Sequence, residues 1–180
     1  EPTSWSGFHA PFYHAVCALL LRVAPASVPA HVLFRWVSLT ATLLALWVVF
    51  RVLRRACSRR IALVAVTTAA CSPLVLVAST MLGNETTCML FVSAALAAVS
   101  PAQGVARLRT ALPGGLAAGL AALSKATGLL VVPVVALFLL PRGGSLRRAS
   151  LAPPLAALAA AALVSAPYYL AQMSRTQSSP

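Results

Sequence analysis

Long apolar runs, each closed by a proline, a polar break or a knot of arginines, leave this chain one kind of environment in which to fold. His31–Phe50, Ile61–Leu82, Thr86–Ser100 and Leu151–Leu170 are mostly apolar, and 60% of all residues are hydrophobic against 9% charged. About a quarter of the residues in a soluble domain are charged, so a water-soluble globule could not hide this much apolar surface. A bilayer can, because a helix of about 20 apolar residues crosses its hydrocarbon core. The expected fold class is therefore all-α, a polytopic transmembrane helical bundle. Residues 1–180 read as a single, incomplete membrane domain. The sequence starts at Glu1 without a Met or a secretory pattern, as an internal piece of a longer protein would.

The formal charge of +12 does not imply a nucleic-acid partner. The arginines stand in short clusters between apolar runs, where they set membrane orientation, with contact to anionic lipid as a secondary effect. Cys17, Cys57, Cys71 and Cys88 show no paired metal spacing. Cys17, Cys71 and Cys88 lie in apolar runs and are expected to pack as small hydrophobes, without disulfides.

Residues 11–21 are apolar but reach only about 16 Å as a helix, and Pro25 and Pro29 follow. They are expected to form an interfacial helix. Spans are expected at about 31–50, 61–82, 86–100, 111–124, 126–140 and 151–170, with a kink at Pro73. Residues 113–140 admit two readings, one long span or two short ones turning at Ser124-Lys125. A turn there puts the clusters Arg51–Arg60, Arg107–Arg109 and Arg142–Arg148, ten of the fourteen Lys and Arg residues, on one side, as the positive-inside rule requires. A lysine at mid-bilayer would also cost about 3 kcal/mol. The turn is preferred. Residues 111–124 then span about 21 Å, short of a core of about 30 Å, which sets Lys125 slightly below the outer surface, in a protein or water cavity.

Glu85 is the only internal acid, in the Gly83-Asn84-Glu85-Thr86 break. The topology above brings it to the same non-cytoplasmic side as Lys125, His9 and Tyr13. A carboxylate there can act as a base, hold a sugar hydroxyl or bind a divalent metal. A recessed lysine suits a lipid phosphate, bound as a point charge. His9 and Tyr13, four apart, share a face if that stretch is helical. Glu85 is the candidate catalytic residue and possible metal ligand; His9, Tyr13 and Lys125 are candidate substrate-binding residues.

Several segments carry a family resemblance. Phe8-His9-Ala10-Pro11-Phe12-Tyr13-His14 is similar to a His/Lys-Pro-Pro-Leu-Tyr-Tyr element that opens a juxtamembrane helix. Gly115-Leu116-Ala117-Ala118-Gly119-Leu120-Ala121-Ala122-Leu123-Ser124-Lys125-Ala126-Thr127-Gly128 is similar to Gly-Leu-Ala-Leu-Leu-Thr-Lys-x-Thr-Gly. The arginine-rich turn before Ile61, Ser72-Pro73-Leu74 and the Asn84-Glu85 break fall in the same order. The chain thus resembles, over about residues 8–140, the membrane domain of GT-C-fold glycosyltransferases that use polyprenyl-phosphate sugars, including protein O-mannosyltransferases and aminoarabinose transferases. The resemblance implies inverting transfer of a sugar from an isoprenoid phosphate to an acceptor on the periplasmic or lumenal face. His9 and Lys125 would lie near the donor phosphate, and Glu85 near the sugar or a metal. Ala10 replaces a family proline. The family's usual catalytic acid lies upstream of the opening element, where this sequence offers only Glu1, so the segment by itself is expected to be inactive.

Other readings compete. A secondary transporter or flippase would show an internal repeat and broken, charged helices at mid-membrane; none is evident in the sequence. A non-catalytic membrane domain would leave Glu85 as a helix N-terminal acid and Lys125 as a snorkelling anchor. Trp5, Tyr13, Tyr168 and Tyr169 also suit interface aromatics. Asn84-Glu85-Thr86 matches an N-glycosylation acceptor, close to the membrane for modification. Gly115-x-x-x-Gly119 is a close-packing pair.

Overall fold

The computed structural model describes residues 11–25, 27–81, 83–100, 107–140 and 148–177. Among them the regular structure is helical: α1 (Pro11–Val23), α2 (Ala30–Ala56), α3 (Arg59–Ala70), α4 (Pro73–Thr80), α5 (Glu85–Val99), α6 (Arg107–Ser124), α7 (Val131–Leu139) and α8 (Arg148–Gln177). A 3-10 segment, Ala126–Leu130, joins α6 to α7. Two helices are long and apolar enough to cross a bilayer, α2 and the Leu151–Ser174 part of α8, and α3 with α4 makes a third if the bent pair is one span. α1, α5 and Ala126–Leu139 are apolar but shorter.

Two element boundaries differ from the sequence expectation for local reasons. At Pro73 the chain breaks instead of kinking, and α3 and α4 meet at 62°. Ser72 is extended, as the residue before a proline prefers, and its Oγ accepts from the Val75 N–H at 3.4 Å. Pro73 then occupies the first helical position, where a missing N–H costs nothing. α2, in turn, continues past Phe50 to Ala56, because arginine and leucine are good helix formers. It carries Arg51, Arg54 and Arg55 within its last turns.

The core lies where α5, α6, α7 and α8 meet, around Ala95, Val99, Ala118, Val135, Leu139 and Ala161. It is built mainly of small side chains, so backbones approach closely, and dispersion contacts between them replace the hydrophobic drive that lipid does not supply. α5 and α6 are antiparallel, with Gly114 of α6 against Ala95 and Val99 near the end of α5. α7 turns back along α6, bringing Val135 to the same Gly114. α6 and α8 run parallel, since Gly115 sits on Ala157 and Gly119 on Ala161. These directions sort the helix ends. The Arg51–Arg60 turn and the starts of α6 and α8 share one end of the bundle; the start of α5 and the close of α6 share the other.

The Gly115/Gly119 pair is where α6 and α8 touch. A Cβ at Gly115 would strike the Ala157 carbonyl oxygen and stand 2.8 Å from its Cα; one at Gly119 would stand 2.8 Å from the Ala161 oxygen. Backbone atoms cannot rotate away as a side chain would. Gly115→Ala is expected to destabilise the bundle by about 1–3 kcal/mol, the usual cost of overpacking. The measurement is the thermal midpoint of the detergent-purified protein, and an unchanged midpoint would mean that α6 and α8 part without cost.

Candidate active site

The polar groups collect at the end of the bundle away from the Arg51–Arg60 turn. α5 begins directly after the Gly83-Asn84 break, so Glu85 occupies its first turn, where the helix dipole favours a negative charge. Thr87 Oγ1 closes this turn by donating to the Asn84 carbonyl at 2.9 Å. From the antiparallel neighbour, α6 ends at Ser124, whose hydroxyl donates back to Leu120 O at 2.8 Å. Lys125 is extended (φ −157°, ψ 141°) and the chain reverses there. The Gly128 N–H donates to Lys125 O at 2.8 Å, and Gly128 packs so tightly on Ala121 that a Cβ would collide with that residue's carbonyl. This turn holds Lys125 at the tip of α6.

There its Nζ donates to Glu85 Oε1 at 3.0 Å, across 40 residues of sequence. The lysine side chain is 37% exposed and that of Glu85 49%. A pair this open contributes about 0–1 kcal/mol to stability, too little to account for the single internal carboxylate on folding grounds. An ammonium also carries three donors, of which this bond uses one.

Tyr13 lies within electrostatic reach of Glu85. It is buried on α1, with its hydroxyl donating to Phe34 O of α2 at 3.5 Å. Burial pushes its phenol above the ordinary value; the Ser38 hydroxyl pulls it down in part, and Cys17 and then, least, the charge of Glu85 add to the rise. Ser38 itself donates to Met81 O at 3.0 Å, which pins the chain between α4 and α5 against α2. His14 is exposed and packs edge-on to Tyr13. His9 lies outside the described residues.

Two further groups at this end escape sequence reasoning. Thr86 is 1% exposed, and its Oγ1 is a buried side-chain oxygen with no hydrogen-bond partner among the described residues. Leaving such a group unpaired costs about 1–3 kcal/mol, and it stands next to Glu85. Tyr169 of α8 donates to the Ala122 carbonyl at 2.9 Å and so braces the last turn of α6. Its signal in sequence was a tyrosine inside an apolar run, which interface aromatics give equally well.

Beside the polar mouth, α1, α2 and α5 enclose an apolar groove of about 480 Å³, walled by Phe12, Val16, Trp36, Leu44, Leu90 and Phe91, with Thr87 at its edge. Phe12 and Phe91 meet edge to face at 4.9 Å and tie α1 to α5. The start of α5 thus carries both a charged pair and part of an apolar groove's lining.

A divalent-metal centre does not fit the described residues. No three His, Cys, Asp or Glu among them stand together, and the one carboxylate already faces an ammonium. Cys17, Cys57, Cys71 and Cys88 are free thiols.

The family model described as dolichyl-phosphate-mannose-protein mannosyltransferase covers residues 8–170. No curated protein and no solved structure matches the chain.

Proposed function

The chain belongs to the dolichyl-phosphate-mannose-protein mannosyltransferase family, and from that premise we propose that the Glu85–Lys125 mouth is where a polyprenyl-phosphate-linked sugar gives up its glycosyl group. The family makes it a membrane glycosyltransferase with a polyprenyl-phosphate sugar donor. The proposal adds a GT-C-type polytopic bundle, with the mouth on the periplasmic or lumenal face and the arginine clusters on the cytoplasmic one.

The reaction is a displacement. An acceptor hydroxyl oxygen bonds to the anomeric carbon and passes its proton to a carboxylate base, the role that the family resemblance gives to an acid upstream of residue 8; the bond from that carbon to the phosphate oxygen breaks, and the polyprenyl phosphate leaves with the electron pair. Lys125 offsets the negative charge that grows on the leaving phosphate, which is where a fixed donor accelerates the step, and His9 shares this role as the family resemblance implies. Glu85 accepts hydrogen bonds from the sugar or the acceptor and orients them. Tyr13 borders the donor headgroup, and the isoprenoid tail runs along the apolar groove between α1, α2 and α5. The supporting observation is the 3.0 Å contact of Lys125 with Glu85, two residues along α5 from Thr87 in the lining of that groove.

Lys125→Ala in the whole protein is expected to raise the KM for the lipid donor and to lower kcat/KM by about a hundredfold, the usual size of a lost transition-state donor. Cysteines placed at 85 and 125 should both react with an impermeant reagent from the non-cytoplasmic side. Unchanged donor kinetics in Lys125→Ala would take the lysine out of the phosphate site. Labelling of the two positions from opposite faces would end the proposal.

A further inference from the structure

At the opposite end of the bundle the turn between α2 and α3 consists of two residues, Cys57 and Ser58. So short a connection folds the last turns of α2 onto the first turn of α3. Arg51, Arg54 and Arg55 from α2 and Arg59 from α3, with Phe50, wall a cavity of about 470 Å³. Arg51 lies over the Trp47 ring at 5.4 Å, and Trp47 is exposed on the helix surface, as an indole at headgroup depth is.

Nothing in the described chain neutralises this pocket. The described residues include one carboxylate, Glu85, and it is held by Lys125 at the other end of the bundle. The start of α3 sharpens the mismatch. A helix N-terminus favours negative charge, yet its first turn holds no acid and opens with Arg59 and Arg60. An orientation signal needs only positive charge, which lysine supplies as well, and needs no cavity. Here every cation is an arginine, the residue whose planar fork grips phosphate oxygens in pairs.

We infer that this pocket binds the phosphate headgroup of an anionic phospholipid, held by Arg54, Arg55 and Arg59. Trp47 beneath Arg51, and Ile61 and Val64 in the first two turns of α3, are exposed and would meet acyl chains; a soluble anion would leave them unused. The site is separate from the proposed donor mouth and does not depend on it.

The test uses the whole protein in phosphatidylcholine nanodiscs doped with fluorescent phosphatidylglycerol. The triple variant Arg54→Lys, Arg55→Lys, Arg59→Lys keeps charge and orientation, and should bind the labelled lipid about tenfold more weakly, through lost paired hydrogen bonds. The corresponding triple change to Gln should lose about a hundredfold. Inorganic phosphate, added in excess over the lipid, should not displace it. Wild-type affinity in the Lys variant would mean diffuse charge attraction and overturn the site; displacement by inorganic phosphate would overturn the lipid as its occupant. Impermeant labelling of a cysteine at position 85 confirms that orientation is retained.

Discussion

Glu85→Gln should abolish sugar transfer while the protein is still made, inserted and folded. The amide has the size of the carboxylate and still bonds to Lys125, but its charge is gone. Stability should change little, because the Glu85–Lys125 pair is open to solvent on both sides and such pairs contribute about 1 kcal/mol at most. Activity should change greatly, by about a hundredfold or more in kcat, since a charged acceptor aimed at the reacting sugar or nucleophile works only if it is charged. Turnover with a lipid-linked sugar donor and circular dichroism of the same preparation separate the two effects. Wild-type turnover would remove Glu85 from the mechanism. Loss of helical signal would show instead that the acid holds the start of α5.

Gly128→Ala tests how the site is assembled, not its chemistry. Gly128 carries no reactive group, yet a Cβ there would strike the Ala121 carbonyl group and lie 2.7 Å from the Ala122 nitrogen. The atoms in the way are backbone atoms of α6, so the turn must lift off the helix. The expected cost is about 1–3 kcal/mol of stability, together with displacement of Lys125 from Glu85. Donor KM should therefore rise as it does in Lys125→Ala, by at least about tenfold. In the double variant the two changes should not add, because both remove the same contact. Additive effects would mean that Gly128 acts through general stability alone.

Gly128 shows what kind of information the sequence lacked. It is visible there as part of a Ser-Lys-Ala-Thr-Gly string, and charge placement alone argued that the chain reverses near Lys125. That a glycine is needed because the turn lies against Ala121 became apparent only with α6 and the turn placed together. Thr86 is similar: next to a conspicuous acid it looked like an ordinary first-turn residue, and its burial without a partner depends on which side of α5 the neighbours cover. The Arg51–Arg59 cluster was legible as an orientation signal, but its cavity follows from the two-residue turn that folds α3 onto α2. The groove between α1, α2 and α5 was not legible, since its walls are apolar residues like any others in this chain.

The residues taken alone determined that this is a helical membrane chain with its positive charge in clusters, and they marked Glu85 and Lys125 as the charges out of place. Hydropathy and charge are sums over neighbouring residues, so a linear reading captures them. Tertiary structure decided that those two side chains meet at 3.0 Å, that Thr86 is buried with no partner for its hydroxyl among the described residues, and that arginines from two helices wall one cavity. Each of these depends on the antiparallel run of α5 against α6 or the fold of α3 onto α2. Contacts of that kind join residues with no proximity along the chain, so they arise from packing, which composition and periodicity do not encode.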